Sequence, residues 1–91
     1  MNSQYNFRCW YDKDFTQLSD VDEVNDLPAG LYYELFQYKP TSNWYISLLA
    51  IGSGGYKSYK FLEYCRESVP DKLFKVLPID AQNALEEDKS D

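Results

Sequence analysis

The residues able to do chemistry in this chain are a glycine-rich loop, a run of carboxylates, two cysteines and nine tyrosines. The loop, Gly52-Ser53-Gly54-Gly55-Tyr56-Lys57-Ser58, follows an apolar run and ends in Lys-Ser. Wrapping a phosphate would need glycines that turn backbone N–H groups inward and a lysine to reach the terminal phosphates. The spacing fails. Tyr56 stands where a glycine must precede the lysine, and Ile51 stands where the first glycine belongs. The loop is better read as a flexible connector. Asp20, Asp22, Glu23 and Asp26 offer oxygen ligands, but Val24 takes a ligand position, Asn25 takes the turn-glycine position, and no glutamate closes a calcium loop. Carboxylates there suit the first turn of a helix, where they complement its dipole.

Catalysis is disfavoured by what the chain lacks. It has no histidine, hence no ready proton shuttle near neutral pH and no imidazole to activate a serine or cysteine. Cys9 and Cys65 are too few for a zinc site without histidine and too far apart in the chain to read as a disulfide framework. Both read as buried small hydrophobes. We therefore expect no catalytic residue, no metal and no cofactor, and a reduced, cytoplasmic protein. Met1 to Arg8 lacks the apolar core of a signal peptide, and Ile46 to Ile51 is too short to span a bilayer.

These groups must be held by a small fold. Ninety-one residues is one domain, with residues from about 88 expected to fray. Tyr5 to Tyr11 alternates with period two and predicts a strand, with Tyr5, Phe7, Cys9 and Tyr11 on one face. Leu31 to Lys39 and Trp44 to Ile51 predict two more strands, joined by the turn Pro40-Thr41-Ser42-Asn43. Neither face of the 31–39 strand is polar, so it is either covered on both sides or exposes an aromatic patch. Ser19 and Asp22 in capping-box spacing predict a short helix over 19–26. Tyr56, Tyr59, Leu62, Cys65 and Val69 recur at helical spacing and predict an amphipathic helix over 56–68. Residues 73–77 read as a short edge strand. Asp80 reads as the cap of a last helix reaching about Asp88.

The expected fold is thus α+β. A small antiparallel sheet of three to four strands carries one main amphipathic helix on one face, with two short peripheral helices. Its core should include Phe7, Leu31, Leu35, Trp44, Ile46, Leu48, Leu62 and Val69.

Charge is segregated. The net charge is −6. Residues 12–26 carry Asp12, Asp14, Asp20, Asp22, Glu23 and Asp26 against Lys13 alone, whereas residues 39–75 are net positive. Lys57, Lys60 and Arg66 near Tyr56, Tyr59 and Tyr64 loosely imitate a stacking platform for nucleic acid, but the overall charge opposes direct binding to a polyanion. The opposite reading fits better. Closely spaced carboxylates approximate a phosphate row, which would compete for basic grooves that hold nucleic acid. The plain alternative is that acidity serves solubility.

In size, acidity and scarcity of cysteine the chain resembles phage and mobile-element inhibitors of host defence, the anti-CRISPR and anti-restriction proteins, some of them DNA mimics. The resemblance is one of composition and assigns no residue a role. With the charge map, the expectation is a non-enzymatic protein that occludes a basic surface of a protein target in the host cytoplasm, a nucleic-acid site above all. Asp12, Asp14, Asp20, Asp22, Glu23 and Asp26 would be the contacts, and Tyr32, Phe36 and Tyr38 an apolar patch for that partner or for a second copy of the chain. The alternatives are an immunity protein or antitoxin that plugs a toxin, and a homodimeric accessory subunit joined through the aromatic face.

Overall fold

A computed structural model describes residues 4–18 and 27–87. Its centre is an antiparallel sheet of five strands. These are β1 (Tyr5–Asp12), β2 (Gln17–Leu18), β3 (Gly30–Tyr38), β4 (Trp44–Ile51) and β5 (Lys57–Leu62), in the order β2-β1-β3-β4-β5. A 3₁₀ turn (Arg66–Ser68), a single helical turn α1 (Asp71–Phe74) and the helix α2 (Ile79–Glu87) follow.

The expected division into three or four strands, one main helix over 56–68 and two peripheral helices is overturned. Residues 57–62 are the fifth strand, and residues 66–68 only a 3₁₀ turn. The spacing of Tyr59, Leu62 and Cys65 suggested a helix, but the stretch also alternates. Lys57, Tyr59 and Phe61 face one way, while Ser58, Lys60 and Leu62 face the other. Two facts of the chain favour the strand. Tyrosine and phenylalanine suit a pleated surface. The preceding glycines form a tight reversal, with Gly54 and Gly55 both at φ 87°, a region open to glycine. The Gly52 N–H donates to the Tyr56 carbonyl at 2.7 Å and closes that hairpin. Residues 73–77 are not an edge strand either. Pro70 and Asp71 start α1 there, an arrangement that suits a helix N-terminus. Asp80 lies in the first turn of α2. The helix expected over 19–26 falls outside the described residues.

The turn between β3 and β4 closes as its residues suggest. Ser42 adopts φ 60°, its N–H donates to the Tyr38 carbonyl, and the Tyr38 N–H donates to the Asn43 carbonyl. The β3–β4 register then runs from Gln37 opposite Trp44 to Gly30 opposite Ile51.

One face of the sheet is covered by the end of the chain. Val69, Leu73, Leu77, Ala81 and Leu85, four residues apart, pack on Cys9, Tyr11, Leu35 and Ile46. Polar contacts hold this cover in place. The Tyr64 hydroxyl donates to the Ala81 carbonyl at 2.7 Å, and Gln82 Nε2 to the Phe74 carbonyl at 2.6 Å. Arg66 bonds Asp71 and the Val69 carbonyl and lies 4.2 Å from the centre of the Phe74 ring.

The opposite face has a smaller core of Trp10, Leu27, Tyr32, Leu49 and Ile51 at one end. Of the expected core, Leu35, Ile46 and Val69 are buried, and Phe7, Trp44 and Leu62 pack against them half-buried. Leu48 is half-buried, and Leu31 is 52% exposed and outside the core.

A β-bulge in β1 overturns one further expectation. The register shifts between Tyr5 and Phe7. This turns Tyr5 away from Phe7, Cys9 and Tyr11 and onto the Arg8 face, where it meets Phe36 edge-on with ring centres 5.1 Å apart.

Leu73 is fully buried at the centre of the cover. Leu73→Ala should cost about 2–5 kcal/mol in urea denaturation. A cost below about 1 kcal/mol would show that the cover does not pack on the sheet as described. The Tyr11 hydroxyl is buried without a hydrogen-bond partner among the described residues. Burial, with Cys9 adding to it, pushes the Tyr11 phenol well up from its ordinary value, and burial also raises the Cys9 thiol. Burial penalises only the ionised forms, so the fold bears no such cost at neutral pH and loses stability as pH climbs past the unfolded values, about 8.5 for Cys and 10 for Tyr. Tyr11→Phe should therefore be neutral or stabilising at pH 7. It should also flatten the decline in stability between roughly pH 9 and 11. An unchanged alkaline decline would count against the burial of this phenol.

Candidate functional site

The uncovered half of the second sheet face is the most distinctive surface of the molecule. The strand registers bring Tyr5 and Arg8 of β1, Glu34, Phe36 and Tyr38 of β3, Tyr45 and Ser47 of β4, and Tyr59 and Phe61 of β5 to the same side. Phe61 is 73% and Tyr59 49% exposed. Large apolar side chains this open are unusual when they are contiguous, and contiguous patches mark interaction surfaces. The rings order one another. Phe36 stacks on Tyr45 with centroids 5.3 Å apart and planes at 22°, and Tyr5 lies 6.5 Å from Tyr38. Between them run two adjoining grooves. One, of about 430 Å³, is lined by Tyr5, Phe36, Tyr38, Tyr45, Phe61 and Leu62. The other, of about 310 Å³, is lined by Tyr5, Arg8, Glu34, Phe36, Tyr59 and Phe61.

A buried polar group lies at the edge of this aromatic surface. Glu34 is only 6% exposed. Its Oε2 accepts from Arg8 Nε, and its Oε1 accepts from the Ser47 hydroxyl at 3.2 Å. The three residues tie β1, β3 and β4 together on this face. A buried carboxylate needs such partners, because leaving it unpaired costs several kcal/mol. The Arg8 guanidinium carbon lies 5.5 Å from the centre of the Tyr5 ring and 5.3 Å from that of Trp10.

The expected contact residues are distributed differently. Phe36 and Tyr38 lie in the open half of this face. Tyr32 lies in its covered half, buried, with its hydroxyl donating to the Pro28 carbonyl at 2.6 Å. Asp12 closes a turn, its Oδ1 accepting from the backbone of Asp14 and Thr16 at 3.0 and 2.9 Å. Asp14 is exposed beside it, and both line a shallow pocket with Lys13 and residues 29–32. Asp20, Asp22, Glu23 and Asp26 lie outside the described residues, as does the calcium-loop pattern. The described stretches contain nine carboxylates and eight cations by sequence, so nearly all of the net −6 belongs to 19–26 and 88–91.

Reading the residues one by one missed Tyr5, Arg8, Glu34, Tyr45, Tyr59 and Phe61 as members of one surface. For Tyr59 and Phe61 the signal was present in the period-two alternation of 57–62. For Tyr5 it was not, because only the bulge turns it. Arg8 and Glu34 are 26 residues apart and meet only through the β1–β3 register.

Other chemistry finds little support here. The glycine-rich loop joins two strands and opens no helix, so no helix N-terminus faces it. Among the described residues no three acidic or cysteine side chains converge. Cys9 and Cys65 are free thiols, Cys9 buried with its Sγ donating to the Trp10 carbonyl at 3.5 Å. The raised thiol leaves little thiolate near neutral pH. No described helix is long and apolar enough to cross a membrane. No family model, curated protein or solved structure matches the chain.

Phe61 makes its contribution to the outer surface and little to the core. Phe61→Ser should change stability by no more than about 0.5 kcal/mol, while reducing the binding of a hydrophobic dye to the native protein. A large loss of stability would mean that the ring is buried in the folded chain.

Proposed function

We propose that this chain is a non-catalytic binding protein that occludes a surface of a basic protein partner, with the open aromatic half of the sheet as its contact face. The observation that carries the reading is the ordered set of rings around Phe36, with Tyr45, Tyr59 and Phe61 exposed on the face opposite the main core. Interface centres are rich in tyrosine, tryptophan and phenylalanine because such rings bury much area at little entropic cost. The carboxylates of 12–26 give the long-range part of recognition. They attract a cationic surface and accelerate encounter, and salt weakens that attraction. A nucleic-acid-binding effector offers such a surface, in keeping with the compositional likeness to anti-CRISPR and anti-restriction inhibitors. A toxin with a basic active site fits the same reading.

The test is affinity capture by the immobilised full chain, from lysate of a candidate host, at low and high salt. A partner should be retained at low salt and weakened at high salt. Its binding should drop at least about tenfold on reversing Asp20, Asp22, Glu23 and Asp26 together, and separately on Phe61→Ser. Retention indifferent to salt and to the charge reversal would remove the basic-partner reading. Retention indifferent to Phe61→Ser would remove the sheet face from the contact.

A further inference from the structure

Arg8 is held in an unusual way. Its Nε is anchored to the buried carboxylate of Glu34, which is held in turn by the Ser47 hydroxyl, and its guanidinium carbon lies within 5.5 Å of two ring centres. Among the described residues, Nη1 and Nη2 have no hydrogen-bond partner, and the side chain is 48% exposed at the wall of the groove. The terminal nitrogens of a guanidinium form a planar fork that fits a carboxylate with two parallel bonds. Arginine usually loses much side-chain freedom when it binds. Here the Glu34 anchor and the flanking rings have already restricted it, so that loss is reduced before a ligand arrives.

We infer that the Arg8 fork is a receptor for one carboxylate, an Asp or Glu side chain that a protein partner presents next to an aromatic residue seated between Tyr59 and Phe61. The inference rests on the binding-protein reading above and specifies what the partner brings to this face. Charge complementarity selects the occupant. Glu34 is held by Arg8 and Ser47, so the donors left open in the groove, among the described residues, are the terminal nitrogens of Arg8. Lys57, on the same face but at its covered end, has its Nζ near the Gly55 carbonyl at 3.5 Å. A single fixed cation matches a single carboxylate. Single-stranded nucleic acid would also place an anion and flat rings here, but it binds through a row of phosphates and would meet a chain of net charge −6. On a partner that is basic elsewhere, one acidic side chain facing Arg8 sets the register of the complex, while the carboxylates of 12–26 supply the long-range attraction.

The experiment uses the isotope-labelled full chain and two blocked tripeptides, acetyl-Phe-Asp-Phe-amide and its neutral isostere acetyl-Phe-Asn-Phe-amide, with a short oligothymidylate as the third probe. Nuclear magnetic resonance follows the Arg8 Nε–H and the amides of Tyr59 and Phe61. The Asp peptide should move all three signals and bind about tenfold tighter than the Asn peptide, the value of a charge-assisted pair. Arg8→Lys, which keeps the charge against Glu34 and loses the fork, should shrink that ratio to under about threefold. Glu34→Gln should reduce it as well, because Glu34 is the positioning residue. Equal binding of the two peptides, or shifts that avoid Arg8, would overturn the assignment. Displacement of the Asp peptide by oligothymidylate at lower concentration would overturn it in favour of nucleic acid. The peptide comparison reads Arg8 alone and the lysate capture reads salt and charge reversal, so the basic-partner reading and the Arg8 assignment can fail independently.

Discussion

A sheet has two faces, and the described residues cover each of them in part: one over Cys9, Tyr11, Leu35 and Ile46, with Leu31 and Ser58 exposed beyond, the other at its Tyr32 and Ile51 end. After β5 the chain runs through residues 66–87 across a single side, where Val69, Leu73, Leu77, Ala81 and Leu85 repeat every fourth residue and close the core against Cys9, Tyr11, Leu35 and Ile46. A domain of this size buries a modest fraction of its surface in any fold. Among the described residues the other face is closed at one end, by Leu27 with Leu18 over Trp10, Tyr32, Leu49 and Ile51. The aromatic grooves are what remains of that face.

This constraint also accounts for β3. Its two faces are both apolar because each meets a core, Leu35 on the covered side and Tyr32 on the other. Moving along the strand from Tyr32 to Phe36 and Tyr38 carries the same face from a packed to an open environment. Tyrosine suits that transition, since its ring packs while its hydroxyl stays near water or a carbonyl. The two sides of one strand therefore do different work. One holds the molecule together, and the other passes from core to contact surface within four residues.

The strands β1, β3 and β4 were legible in the sequence because period-two alternation and the Pro40–Asn43 turn are local signals. What was not legible depends on choices between local signals or on register. Residues 57–62 satisfy helical and strand spacing at once, and the hairpin at Gly54 and Gly55 decides between them. Pro70 and Asp71 start a helix where a hydrophobic run between two prolines suggested a strand. Tyr5 changes face through a bulge that no residue type announces. The aromatic content foretold a surface of this kind but not its membership, which needs four strands in register.

The Arg8–Glu34–Ser47 group shows how such a surface differs from a core left unfinished. A buried ion pair contributes little net stability, because desolvating the carboxylate offsets most of the attraction, and well-packed apolar residues in its place often do as well or better. Chain stability alone therefore gives weak reason for a carboxylate beneath this face. The pair has another consequence. It orients the guanidinium, through Nε, so that the terminal nitrogens are left without a partner among the described residues. Rings alone would make a sticky surface with little power to choose among partners or to resist self-association. A fixed charge among them penalises any partner that cannot answer it, since burying that fork unpaired costs more than the ring contacts next to it would return. Selectivity on this face thus rests on the Arg8–Glu34 pair at the edge of the aromatic surface.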